Sequence, residues 1–167
     1  MIDRQAEKII EILQKEQTYY RDLLELSNKK KSIIIEGKIP DLEKIIKIEQ
    51  NMIFDLGQLE KHREEELQKL CEIMKLNPKS TVTELSSLLP EQLAKQLKKL
   101  QQEMGSTIKA LQNANDVNGQ LIQQSLEYIE YTVNMVTSSG PANSLYEDLQ
   151  TTGKNIDNKK RLFDTKV

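Results

Sequence analysis

The chain has little of what catalytic and cofactor-binding proteins are usually built from. In 167 residues there is no tryptophan, and aromatic residues make up 4% of the total. Glycine and proline are scarce, at 6 and 4 residues. A core of Leu and Ile layers needs few aromatics, so this scarcity does not imply disorder. The single cysteine, Cys71, excludes an intrachain disulfide and fits a reducing cytoplasm. No apolar run approaches the roughly 18 residues of a membrane span. The densest apolar triplet, Ile33-Ile34-Ile35, is bracketed by lysines and Glu36. Met1 to Glu7 is polar and lacks the apolar core of a signal peptide, so a cytoplasmic location is expected.

Charge of one sign is also missing. The net charge is −2, which favours neither nucleic acid nor acidic membranes. The only basic run, Lys29-Lys30-Lys31, reads as a solvated helix face. The one histidine, His62, lies in the charged run Lys61-His62-Arg63-Glu64-Glu65-Glu66, with no second ligand at metal spacing. Neither a Walker-type GxxxxGK[ST] nor a GxGxxG motif occurs. The Glu-x-x-His pairs of di-iron bundles are absent. The expectation is a protein that is not an enzyme and holds no cofactor or metal.

What is present is charge and helical periodicity. Charged residues make up 30% of the chain, and Leu, Ile, Lys, Glu and Gln dominate, a composition of long helices or coiled coils. A first helix is predicted over 3–36, with Asp3 as its cap and the stripe Ala6, Ile9, Leu13, Tyr20, Leu23 and Ile34. Gly37 stops it. A second is predicted over 40–76, opened by Pro40, with the seam Leu42, Ile46, Glu49, Ile53, Leu56, Glu60, Arg63, Leu67, Leu70 and Met74. The short gap makes these two an antiparallel hairpin. Thr81-Val82-Thr83-Glu84 reads as a capping box opening a short helix over 82–88. A long helix over 90–137 follows, with Leu93, Leu97, Leu100, Met104, Leu111, Leu121, Tyr128 and Met135 on one heptad frame. The architecture expected is all-α: an elongated antiparallel three-helix bundle, or coiled coil, over 1–137, with a flexible tail over 138–167.

Polar residues on these seams demand partners, because a buried charge must be paired. Glu60 and Arg63, spaced i, i+3, can pair with each other, and Glu49 suggests register specification. Asn115 and Asn118 are poor helix formers. Two readings stay open for them: hydrogen bonds across the bundle, or a break in the seam where a partner begins. Beyond them the chain changes character. From Gly119 to Val136 the only formal charges are Glu127 and Glu130, while Leu121-Ile122, Tyr128-Ile129 and Met135-Val136 repeat every seven residues. This stripe is either core or a surface for another amphipathic helix. The residues picked out for that surface are Leu121, Ile122, Leu126, Ile129, Val133 and Val136.

Five segments, taken in order, resemble the FlgN-like flagellar export chaperones. They are Glu16 with Tyr20 and Leu23-Leu24-Glu25-Leu26; Glu36-Gly37-Lys38-Ile39-Pro40-Asp41-Leu42; Glu49-Gln50 with Leu59-Glu60-Lys61-His62-Arg63; Asn115-Asp116-Val117-Asn118-Gly119-Gln120-Leu121-Ile122; and the tail's Leu145-Tyr146 with Phe163-Asp164-Thr165-Lys166-Val167. The resemblance implies a cytoplasmic chaperone for hook-associated, hook–filament junction proteins. It would bind their helical terminal segments, prevent premature assembly and deliver them to the type III export apparatus. It also implies client binding by the C-terminal region, and export-machinery contact by a tail tyrosine, here Tyr146. The family's tyrosine is usually followed by glycine, whereas Glu147 follows here. The competing expectation is a structural coiled-coil scaffold or homo-oligomerisation protein; for the chaperone, a weak homodimer is the most self-association expected.

Overall fold

A computed structural model of the chain describes residues 1–138. They form four helices: α1 (Ile2–Glu36), α2 (Ile39–Met74), α3 (Val82–Ser87) and α4 (Glu91–Ser138). The fold is all-α, as the periodicity predicts. The chain divides into two units, Met1–Ile122 and Gln123–Val167. The expected tail lies outside the described residues except for Ser138, which is the last residue of α4.

Helix ends follow local chemistry closely, with two departures. Gly37 takes a left-handed conformation with φ 68° and closes α1, a geometry that glycine adopts without steric cost. Pro40 lies in the first turn of α2, and the Thr81–Glu84 capping box opens α3. The first departure is at α1, where the cap is Met1, not Asp3. The helix begins one residue early, with the Gln5 N–H bonded to the Met1 carbonyl. Asp3 then serves only as first-turn charge. The second is at α2, which ends at Met74, before Asn77-Pro78, because Lys75 adopts φ 55° and its N–H bonds back to Glu72.

The first unit is organised around α1. Two apolar clusters lie at its N-terminal end. Ile9 packs with Leu70, Cys71 and Leu85, and Ala6 and Ile10 pack with Leu89, Leu97 and Leu100. The α2–α3–α4 connection thus supplies Leu85 and Leu89 as a lid on the end of the bundle. Burying such side chains contributes roughly 1.5–3 kcal/mol each.

Polar contacts set the register along the rest of α1. Toward α2, Gln5 donates to Glu66, the Arg63 Nε donates to Glu16 Oε1 at 2.9 Å, and the Tyr20 hydroxyl donates to Glu60 at 2.9 Å. Lys30 reaches both oxygens of Glu49 at 2.8 Å. Partner numbers fall as α1 numbers rise, so these helices are antiparallel. Toward α4, Gln17 donates to Thr107 at 3.0 Å, Ser27 donates to Asn115 at 2.9 Å, and Asn118 donates to the Ser27 carbonyl at 2.8 Å. Here numbers rise together, so α4 runs parallel to α1. All of these contacts have a residue of α1 on one side.

The seam residues of α2 therefore divide. Leu56 and Leu70 are buried, but Ile46 and Ile53 are exposed, contrary to expectation. The apolar face of α2 is wider than what α1 covers, and the Ile39, Ile46 and Ile53 side of it stays open. The local Glu60–Arg63 pair is also replaced: each residue reaches across to α1 instead. Lys30 leaves the solvated basic run to pair with Glu49 in a largely buried contact.

Glu16 is 1% exposed. Burial pushes its carboxyl above the usual value, against the opposing pull of Arg63. The Tyr20 hydroxyl is pushed up to about 12, by burial first and by Glu60 second. Removing one partner of a buried pair leaves an uncompensated charge. Arg63→Met should lower unfolding free energy by about 3 kcal/mol, read as a lower urea midpoint. Glu16→Met with Arg63→Met should recover most of that loss.

Glu66 behaves in the opposite sense. Hydrogen bonds from Lys69 and then Gln5 hold its carboxyl below the ordinary 4.5. A depressed carboxyl stabilises the fold above its unfolded pKa and loses that contribution as pH falls through the folded one. Glu66→Gln should therefore lower Tm most near pH 7. The gap to wild type should shrink as pH falls below 4.5 in paired thermal melts.

Candidate functional site

The six residues singled out for a partner surface lie on α4 at steps of one, four, three, four and three. In the first unit Leu121 is half-buried and Ile122 is 38% exposed. In the second unit Leu126, Ile129 and Val133 are each more than half exposed, and Val136 reaches 69%. Tyr128, Tyr131 and Met135 are exposed on the same helix. The heptad frame that is buried at Leu97 and Leu100 is thus continued by the exposed residues Tyr128 and Met135.

Asn118 marks the change. It is 2% exposed, and its amide nitrogen bonds both the Ser27 carbonyl and, at 3.0 Å, the Ser27 hydroxyl. Asn115 accepts from the same hydroxyl. Of the two readings open for these asparagines, the cross-bundle bonds are what the structure contains.

The aliphatic hydroxyls at the exposed end of α4 are spent within the helix. The hydroxyls of Thr132, Thr137 and Ser138 donate to carbonyls of their own helix, at Tyr128, Val133 and Met135. Such back-bonding is the usual way for these residues to sit within a helix. Gln123 donates to Glu127 at 3.1 Å. A row of exposed large apolar groups whose Thr and Ser hydroxyls bond their own helix suits an apolar or amphipathic partner.

His62 is an exposed helix residue, 3.9 Å from Glu65. Cys71 is buried in the core. Among the described residues no cluster of metal-ligating side chains occurs, and no helix is long and apolar enough to cross a membrane. Tyr146 lies outside the described residues.

The fold is thus a set of long helices with exposed apolar residues at the end of α4. Over residues 1–153 the chain matches the family described as FlgN protein, and it belongs to that family, the FlgN-like flagellar export chaperones. No curated protein and no solved structure matches it.

Two features of the first unit were not legible in the residues alone. One is the open isoleucine face of α2, which periodicity assigns to the seam. The other is the buried Gln17, whose spacing from Ile10 and Leu13 places it on a core stripe that no apolar count picks out.

The exposure of Leu126 and Ile129 has a direct consequence. Leu126→Asp with Ile129→Asp should leave helicity by far-UV circular dichroism and the urea midpoint of the first unit near wild type. A surface substitution usually shifts stability by no more than about 0.5 kcal/mol. A collapse of helicity would show that this face is core.

Proposed function

We propose that this chain is a cytoplasmic export chaperone for hook-associated proteins of the flagellar hook–filament junction. It covers a helical terminal segment of the client, prevents its premature assembly and delivers it to the type III export apparatus. The observation that carries this reading is the exposed face Leu126, Ile129, Val133 and Val136, on a stretch whose only charges are Glu127 and Glu130. Membership of the FlgN family supports it independently.

The physics suits a releasable complex. A junction protein's terminal helix carries an apolar face that awaits its neighbours in the assembly. Laying that face on α4 substitutes one helix-in-groove contact for another. Between a third and a half of each of these side chains is already covered, so full burial adds roughly 1 kcal/mol per residue. Four such residues give moderate binding once association entropy is subtracted.

The test is a binding titration with purified hook–filament junction protein from the same bacterium. Leu126→Asp with Ile129→Asp should weaken binding at least about a hundredfold, equivalent to 2.7 kcal/mol, because two carboxylates would be buried without partners. Unchanged affinity would overturn the assignment. The competing scaffold reading predicts a tight oligomer whose apolar face is fully occupied. Light scattering over a concentration series should instead show monomer, or a weak dimer that the client dissociates.

A further inference from the structure

The exposed end of α4 is apolar on more than the face assigned to the client. At roughly 100° of rotation per residue, Leu126, Ile129, Val133 and Val136 fall within an arc of about 80°. Tyr128, Tyr131 and Met135 fall within a second arc of about 60°, centred about 150° round the helix from the first. These three are 71%, 62% and 53% exposed, as open as the first four. Thr132 lies in one gap between the stripes, with its hydroxyl donated to the Tyr128 carbonyl. The other gap is polar and holds Gln123, Glu127, Glu130 and Asn134. From outer edge to outer edge the apolar side spans about 220°, whereas a helix that meets one neighbour needs a stripe of about 100°.

Area points the same way. The four side chains of the first stripe expose about 400 Å², half of the roughly 800 Å² that one partner contributes to an interface of standard size. With the second stripe added, the exposed apolar surface reaches roughly that 800 Å². Charge then narrows the occupant. Each stripe has one carboxylate beyond its outer edge: Glu130 about 40° past Leu126, and Glu127 about 40° past Tyr131. No Lys or Arg stands between Gly119 and Val136, so a second copy of this helix end offers no cation to either carboxylate.

We propose that the end of α4 is the middle member of a three-helix arrangement completed by two amphipathic helices of the client, one on each stripe. Each client helix carries Lys or Arg beside its apolar face, to meet Glu130 on one side and Glu127 on the other. The inference rests on the client reading of α4 and adds that one client segment does not complete the site. A single helix covers one side of its neighbour, which leaves either Ile129 or Tyr128 in water. Two helices cover the whole apolar arc and turn α4 into the kind of helix that is apolar nearly all round and buried.

The test uses the full-length chain and purified hook–filament junction protein from the same bacterium. The photo-crosslinking residue p-benzoylphenylalanine replaces Ile129 in one variant and Tyr131 in another, and captured residues are identified by mass spectrometry. The two variants should capture two different helical segments of the client. Capture of the same segment by both would overturn the proposal, as would capture of this chain's own residues from position 131. Affinity gives a second readout. Tyr128→Asp with Tyr131→Asp should weaken binding at least tenfold with far-UV helicity unchanged, whereas Tyr128→Phe with Tyr131→Phe should bind as wild type. Glu127→Lys with Glu130→Lys should weaken binding about fivefold. If the tyrosine-to-aspartate variant binds as wild type while Leu126→Asp with Ile129→Asp does not, the client uses one helix and this proposal alone fails. If both variants bind as wild type, the client reading of α4 fails with it.

Discussion

Helix α1 is the constraint on which the first unit depends, because it serves two partners at once. Its Glu16, Tyr20 and Lys30 hold α2, and its Gln17 and Ser27 hold α4. A helix presents a limited apolar arc, and α1 divides its arc between two neighbours. Each neighbour is then covered on one side only. The open isoleucines of α2 follow from that division.

Polar chemistry, more than apolar volume, fixes the register of these contacts. A Leu or Ile layer tolerates a shift by one heptad, whereas the Arg63 guanidinium has one buried carboxylate to meet, and Asn118 has one Ser27. Displacing either helix strands charges or amides in a dry environment, at several kcal/mol each for the charges. Such residues reduce net stability and raise specificity, as polar core positions do in coiled coils. The same logic explains the split behaviour of two buried glutamates. Glu16 is dominated by burial and held up, whereas Glu66 is dominated by its donors and held down.

The change of character along α4 joins structure to function. Up to Asn118 its Glu103, Thr107, Asn115 and Asn118 meet residues of α1, and its leucines are buried or half-buried. In the second unit its apolar residues are exposed and its threonine hydroxyls are turned back on their own helix. A helix end of that kind is unfavourable in water unless it has a use. A chaperone is a natural use, since its client needs an apolar surface for a limited time.

Much of this was determined by sequence alone. Heptad spacing located three long helices, Gly37 and Pro40 placed the hairpin turn, and Thr81-Val82-Thr83-Glu84 placed the short helix, because these are local effects decided within one or two turns. The low charge from Gly119 to Val136 marked the surface that the structure exposes, and the order of five segments pointed to the family. Only the tertiary structure decided which seam residues are covered. Ile46 and Ile53 have the spacing of core residues and lie open, Glu60 and Arg63 pair across helices instead of along one, and Gln17 keeps a buried acceptor with no partner among the described residues. Periodicity specifies which face of a helix is apolar. How much of that face is buried depends on how many neighbours arrive and at what register, which is a property of the whole bundle.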